Sequence, residues 1–209
     1  MACTGVVLAG GGATRYGGLP KGLERVGGVR IIDRVAGALR DVTEDLLLIA
    51  NDPSAADWLA PDVRVEGDVI RDSGSVAGIH AALTHAGGAV LVVAWDMPFV
   101  PTSLLRALRS AAETEGSGVA VPESGSRRGV EPMCAYYAPV CINAIERALA
   151  RDDRRVIAFF DDVPVTRLSV EEVARFGDPE HIFMNVNTPE DLALAERIAA
   201  AAAVHDRRP

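Results

Sequence analysis

At 209 residues and 49% hydrophobic content, the chain is long enough to bury one substantial core. Its formal net charge of −8 argues against a nucleic-acid surface, which needs a clustered positive face, yet leaves room for a small polyphosphate held by a local site. Cys3, Cys134 and Cys141 are widely spaced without a Cys-x-x-Cys pair, so neither a disulfide framework nor a zinc site is expected.

In chain order, short apolar runs alternate with amphipathic stretches. Strands are predicted at Gly5–Ala9, Leu46–Ala50, Val63–Val65, Ala89–Ala94 and Val119–Pro122. Val6-Val7-Leu8 and Val90-Leu91-Val92-Val93 are continuous aliphatic runs, which suits strands buried on both faces. Ile31–Arg40, Val76–Ala86 and Thr102–Glu115 carry apolar residues at every third or fourth position and read as helices. Further on, Cys134–Ala138 and Pro164–Leu168 read as strands, and Val140–Ala150 and Val156–Phe160 as helices. A last helix is predicted after Asn187, with Thr188 as N-cap, Pro189 at the first helical position, and Glu190 and Asp191 at the positive end of its dipole. The tail from Asp206 to Pro209 is expected to fray.

The alternation predicts an α/β fold, Rossmann-like and doubly wound: a mostly parallel sheet flanked by helices, in a single domain over 1–209. Its nucleotide-binding half would cover about 1–115 and its second half about 116–205. The run from Ala89 to Trp95 falls far short of the roughly 20 residues a bilayer span requires. The first residues lack a basic segment before the glycine cluster, so a cytoplasmic protein without membrane contact is expected.

After the first strand comes Leu8-Ala9-Gly10-Gly11-Gly12, followed by Arg15, Gly17-Gly18 and Lys21. In an open parallel sheet the ligand crevice lies at the carboxyl ends of the strands, where this segment falls. Consecutive glycines let backbone N–H groups line a concavity for phosphate oxygens. Arg15 adds a planar fork and Lys21 a compact charge. A Walker A loop is excluded because Gly17 is followed by Gly18, and Lys21 by Gly22. A dinucleotide fingerprint is excluded because Arg15 stands where a third glycine is needed.

A carboxylate, Asp96, follows the buried run Val92-Val93-Ala94 and reaches the same sheet edge. Magnesium takes few carboxylates, filling its shell with waters and substrate phosphate oxygens, so one Asp suffices to anchor it. A turn cap before Pro98 is the other reading of the same residue. His80 and His85 are five apart on a predicted helix, not the spacing of a zinc pair, and are expected to be surface or packed residues. Trp58 and Trp95 are expected in the core or at its rim.

The loop from Leu8 to Lys21, with Asp96-Met97-Pro98, resembles the signature of nucleotidyltransferases that activate sugars and pterins, in particular the molybdenum cofactor guanylyltransferase family. The resemblance implies a magnesium-dependent enzyme that moves GMP from GTP onto the molybdenum-pterin cofactor and releases pyrophosphate. It assigns the nucleotide to Leu8, Ala9, Gly10, Gly11, Gly12 and Lys21, a supporting electrostatic role to Arg15, and the magnesium to Asp96. Gly74-Ser75-Val76-Ala77-Gly78-Ile79 resembles a further family segment and brings in Gly78. Asp68, or Asp72 as its competitor, falls at the acidic residue that reads the base; adjacent guanine N–H donors suit a carboxylate. Asn51 falls near the nucleotide, and Asn185 and Asn187, alternate residues of an extended segment, would face the site.

Glu131-Pro132 and Arg154-Arg155 also resemble subgroup segments, the basic pair being expected at the pterin phosphate. The resemblance further implies handover of the product to cofactor-synthesis or molybdoenzyme-maturation proteins. Gly28-Val29-Arg30 and Ser75 depart from the family pattern on the second-substrate side. Gly10-Gly11 disfavours a cytidylyl sibling, whose family carries Leu-Ala-Ala-Gly. That sibling, a sugar-phosphate nucleotidyltransferase, and a GTP-dependent cofactor carrier without chemistry are the alternatives.

Overall fold

The computed structural model describes residues 2–9, 20–70 and 74–205. Gly10, Gly11, Gly12, Arg15, Asp72 and the tail from Asp206 lie outside the described residues.

Nine strands are present among the described residues: β1 Cys3–Ala9, β2 Arg25–Val26, β3 Val29–Arg30, β4 Asp45–Ala50, β5 Arg64–Glu66, β6 Ala89–Ala94, β7 Val119–Pro122, β8 Cys134–Tyr137 and β9 Val165–Leu168. The helices are α1 Ile31–Arg40, α2 Gly74–Ala86, α3 Thr102–Glu115, α4 Cys141–Ala150, α5 Val170–Val173, α6 Pro179–Ile182 and α7 Pro189–His205. Seven strands form one sheet in the order β5-β4-β1-β6-β8-β7-β9, and β2 and β3 form a separate hairpin. All neighbours in the sheet run parallel except β8, which is antiparallel to both β6 and β7.

Strand alternation sends side chains to two cores. From β1 and β6, Val7, Leu91 and Val93 join α1 and α3 on one face through Val35, Leu39, Leu104 and Leu108. Val6, Leu8, Val90 and Val92 join α2 and α4 on the other through Ile79, Leu83, Ala144 and Ile145. Burial on both faces is why these strands carry aliphatic residues at consecutive positions. Each such side chain removed from water stabilises the fold by about 1.5–3 kcal/mol, so the sheet centre is a rigid platform for the loops at its edge.

The α/β, doubly wound expectation holds, with two local departures. Val156–Phe160 is not a helix: four turn residues lead into a 3-10 turn at Phe160–Asp162. Val156, Phe159 and Phe160 are buried against the α2–α4 side, so their helical spacing is satisfied by turns, and Pro164 follows too soon for a longer helix. The Val26-Gly27-Gly28-Val29 hairpin is the other; its glycines have φ of +59° and +79°, conformations that favour glycine in a two-residue turn. At α7, Asp191 N donates to Thr188 Oγ1, and Asp191 Oδ2 accepts from Thr188 N and Asn187 N, a reciprocal cap at the predicted position. Among the described residues, no helix is long and apolar enough to cross a membrane.

Candidate active site

The carboxyl ends of β1, β4, β5 and β6 lie at one edge of the sheet because these strands are parallel. Loops leaving that edge carry most of the residues singled out in the sequence. Leu8 and Ala9 end β1, and Leu8 O accepts from Trp95 N at 3.2 Å, tying the entrance of the glycine-rich segment to the residue before Asp96. Gly78 of α2 backs onto Leu8, where a Cβ would stand 2.6 Å from Leu8 Cδ1.

Lys21 begins a 3-10 turn over Lys21–Leu23. Its Nζ donates to Asp96 Oδ2 at 2.6 Å and to Asn187 Oδ1 at 2.7 Å. Asp96 is 6% exposed and sits directly beyond β6. Its backbone oxygen accepts from Val186 N at 2.9 Å, which fixes the Asn185–Asn187 segment against the end of β6. Three chain segments far apart in sequence thus converge on one ammonium group. Asn185 is placed differently from Asn187: its Nδ2 donates to Phe183 O at 2.9 Å, inside its own turn.

A second corner joins Asn51, after β4, to Asp68, after β5. Asn51 Nδ2 donates to Asp68 Oδ2 at 2.7 Å, and Asp68 N donates to Asn51 Oδ1 at 2.9 Å. This two-way contact presets the Asp68 carboxylate while leaving lone pairs for further donors. Gly67 lies tight against the asparagine, a Cβ there standing 3.2 Å from Asn51 Oδ1.

Glu131 carries more weight here than its sequence signal suggested. It is 8% exposed, and burial raises its carboxyl above the usual range; Met133 N and Arg128 oppose the shift and Asp96 adds to it. The segment is pinned to β6 through Ala94 N donating to Met133 O at 2.9 Å. The only sequence signal was the Glu131-Pro132 resemblance, because burial beside Asp96 depends on the antiparallel placement of β8. Arg154 and Arg155 pair with neighbouring carboxylates, Asp152 at 3.1 Å and Asp153 at 2.6 Å.

No group of three or more His, Cys, Asp or Glu side chains among the described residues could cage a metal. The two histidines of α2 have partners of their own: His80 Nε2 lies 3.2 Å from Glu146 Oε1, and His85 Nε2 lies 3.2 Å from Gly67 O. The three cysteines are buried free thiols, raised by burial, Cys3 and Cys141 to about 12. What the site offers a cation is Asp96 Oδ2 and Asn187 Oδ1, two hard oxygens already converging on one positive group. That donor set fits a magnesium ion that keeps waters and takes phosphate oxygens for the rest of its shell.

A parallel-sheet edge at which a glycine-rich sequence begins, with a lysine held on a buried aspartate, is the arrangement of a nucleotide-handling transferase. The model of the MobA-like NTP transferase domain matches residues 5–165. The chain belongs to that family. It is 40% identical over 200 residues to a probable molybdenum cofactor guanylyltransferase of Pelotomaculum thermopropionicum, covering 95% of this chain and 94% of that one. A molybdenum cofactor guanylyltransferase of Desulfosudis oleivorans is 34% identical, with 93% and 95% covered. Among solved structures, molybdopterin-guanine dinucleotide biosynthesis protein A of Archaeoglobus fulgidus superposes with a TM-score of 0.79 at 30% identity, covering 95% of this chain and 99% of that one.

Proposed function

We propose that this chain transfers GMP from GTP to the molybdenum-bound pterin cofactor, forming the guanine dinucleotide and releasing pyrophosphate. The observation that carries the reading is the single point at which Lys21 Nζ, Asp96 Oδ2 and Asn187 Oδ1 meet. The guanine identity is taken from relatives that share nearly the whole chain. In the reaction, an oxygen of the pterin's terminal phosphate forms a bond to the α-phosphorus of GTP. The bond from that phosphorus to the bridging oxygen breaks, and its electron pair leaves with pyrophosphate.

No covalent enzyme intermediate is needed, so the protein's contribution is positioning and charge neutralisation. Lys21, held by Asp96 and Asn187 before substrate arrives, turns its ammonium to the incoming phosphates. Arg15 and the amides of Gly10, Gly11 and Gly12 complete the phosphate grip, and Leu8, Ala9 and Gly78 line it. Asp68, set by Asn51, accepts the adjacent N–H donors of guanine; Asp72 is its competitor. Asp96, with Asn187 beside it, would hold magnesium, which when bound neutralises charge across the triphosphate. Asn185 stands by on the acceptor side, in the half of the chain from about 116 to 205. A cytoplasmic enzyme handing its product to maturation proteins completes the reading.

The test is to supply each of the four nucleoside triphosphates with magnesium and the molybdenum-pterin cofactor and to follow pyrophosphate. GTP alone should support turnover, and excess chelator should stop it while the far-ultraviolet circular dichroism stays unchanged. Turnover with CTP and not GTP would overturn the assignment.

A further inference from the structure

The chain's two tryptophans, Trp58 and Trp95, stack with ring centroids 5.0 Å apart and planes inclined by 16°. Trp95 is 2% exposed and sits between the end of β6 and Asp96. Gly22, the residue after Lys21, lies against its indole: a Cβ on Gly22 would stand 2.3 Å from Cε3 and 2.7 Å from Cδ2. The backbone at Gly22 is not in the left-handed region, so the ring, and not the local conformation, demands glycine there. Residues 21–22 and 95–96 therefore interlock twice, through Gly22 on the Trp95 ring and through Lys21 Nζ on Asp96 Oδ2.

The other face of the contact leads to the base corner. Trp58 Nε1 donates to Ser54 Oγ at 3.2 Å, and Ser54 donates through both N and Oγ to Asp52 Oδ1, one residue from Asn51. We propose that Trp95, braced by Trp58, is a positioning residue that sets the height of Lys21 over Asp96 and ties it to the Asn51–Asp68 corner. This rests on the nucleotidyl-transfer reading of the site. A rigid indole suits the task better than an aliphatic side chain, because a lysine backbone displaced by an ångström loses its contact with charge developing on the phosphates.

The test uses Gly22→Ala, the double variant Gly22→Ala/Trp95→Leu, and Trp58→Leu, each at a temperature where circular dichroism shows it fully folded. GTP affinity with magnesium is measured by calorimetry, and kcat and KM with the cofactor supplied. Gly22→Ala should lose about 100-fold in kcat/KM, and removing the indole should restore about tenfold of that loss. Trp58→Leu, which removes the ring stacked on Trp95, should lower kcat about tenfold with little change in KM for GTP. GTP with magnesium should also alter the near-ultraviolet dichroism of the wild type, where the stacked pair supplies all the indole signal. The proposal is overturned if Gly22→Ala stays within about threefold of wild type, if the double variant is no better than the single, or if folded Trp58→Leu keeps wild-type kcat. Absence of wild-type turnover would instead count against the transfer reading, while the GTP affinities of the same variants would still decide the positioning role.

Discussion

Lys21→Met removes a charge while keeping side-chain length, and its consequences can be worked out from the two oxygens it leaves. Asp96 and Lys21 have side-chain exposures of 9% and 20%, so their attraction is only partly screened. Two unit charges about 4 Å apart attract by about 4 kcal/mol at an effective dielectric constant near 20. Desolvation of both groups and ordering of the lysine offset much of that, and stranding the Asp96 carboxylate should cost about 2 kcal/mol. Urea unfolding at pH 7 should show a lower midpoint with an unchanged slope. Lys21→Met/Asp96→Asn, which strands no charge, should recover about 1–2 kcal/mol relative to the sum of the single variants. Activity should not follow stability: both variants should lose roughly 100- to 1,000-fold in turnover, since charge on the phosphates goes unopposed in each. A Lys21→Met protein within about 0.5 kcal/mol of wild type, or a double variant no more stable than the sum predicts, would refute the reasoning.

Two further outcomes follow from other parts of the structure. Asp68→Asn should raise KM for GTP by about 10- to 100-fold and erase discrimination against ITP, which lacks one of the guanine donors, as read from the ratio of kcat/KM values. The Arg109 guanidinium beside Glu44, at 2.8 Å, holds that carboxyl down at about 2 from an ordinary 4.5. Because the folded value is depressed, the pair's stabilisation is complete above pH 4.5 and disappears as pH falls through 2. The side chain is 52% exposed, so screening cuts a nominal ~3 kcal/mol to about 1 kcal/mol, and Glu44→Gln should show that deficit at pH 7 and none near pH 2 in chemical unfolding.

The parallel half of the fold was legible because β1 and β6 sit between neighbours on both sides and helices on both faces, which leaves continuous aliphatic runs in the sequence. The direction of β8 was not read from Cys134–Tyr137 itself. The signal lay in the connection: the stretch from Glu123 to Met133 holds no helix, and a parallel return needs a crossover. Val156–Phe160 misled because turns can bury the same i, i+3, i+4 residues that a helix would.

Lys21, Asp96 and Asn187 were each marked by residue type and context, yet their meeting spans 75 and 166 positions, which no spacing rule encodes. The Trp58–Trp95 stack was hidden for the same reason. Read as core or rim, the two rings carry no hint that Gly22 is glycine on account of Trp95. The Asn51–Asp68 pair was closer to hand, since both residues leave adjacent parallel strands.

Label transfer tests guanylyl transfer most directly. With GTP labelled at the α-phosphate, the label should appear in the molybdenum-pterin product in one-to-one ratio with released pyrophosphate, and label placed at the γ-phosphate should appear only in the pyrophosphate. Transfer of the γ-label to the cofactor, or release of GDP without α-label in the product, would contradict the account.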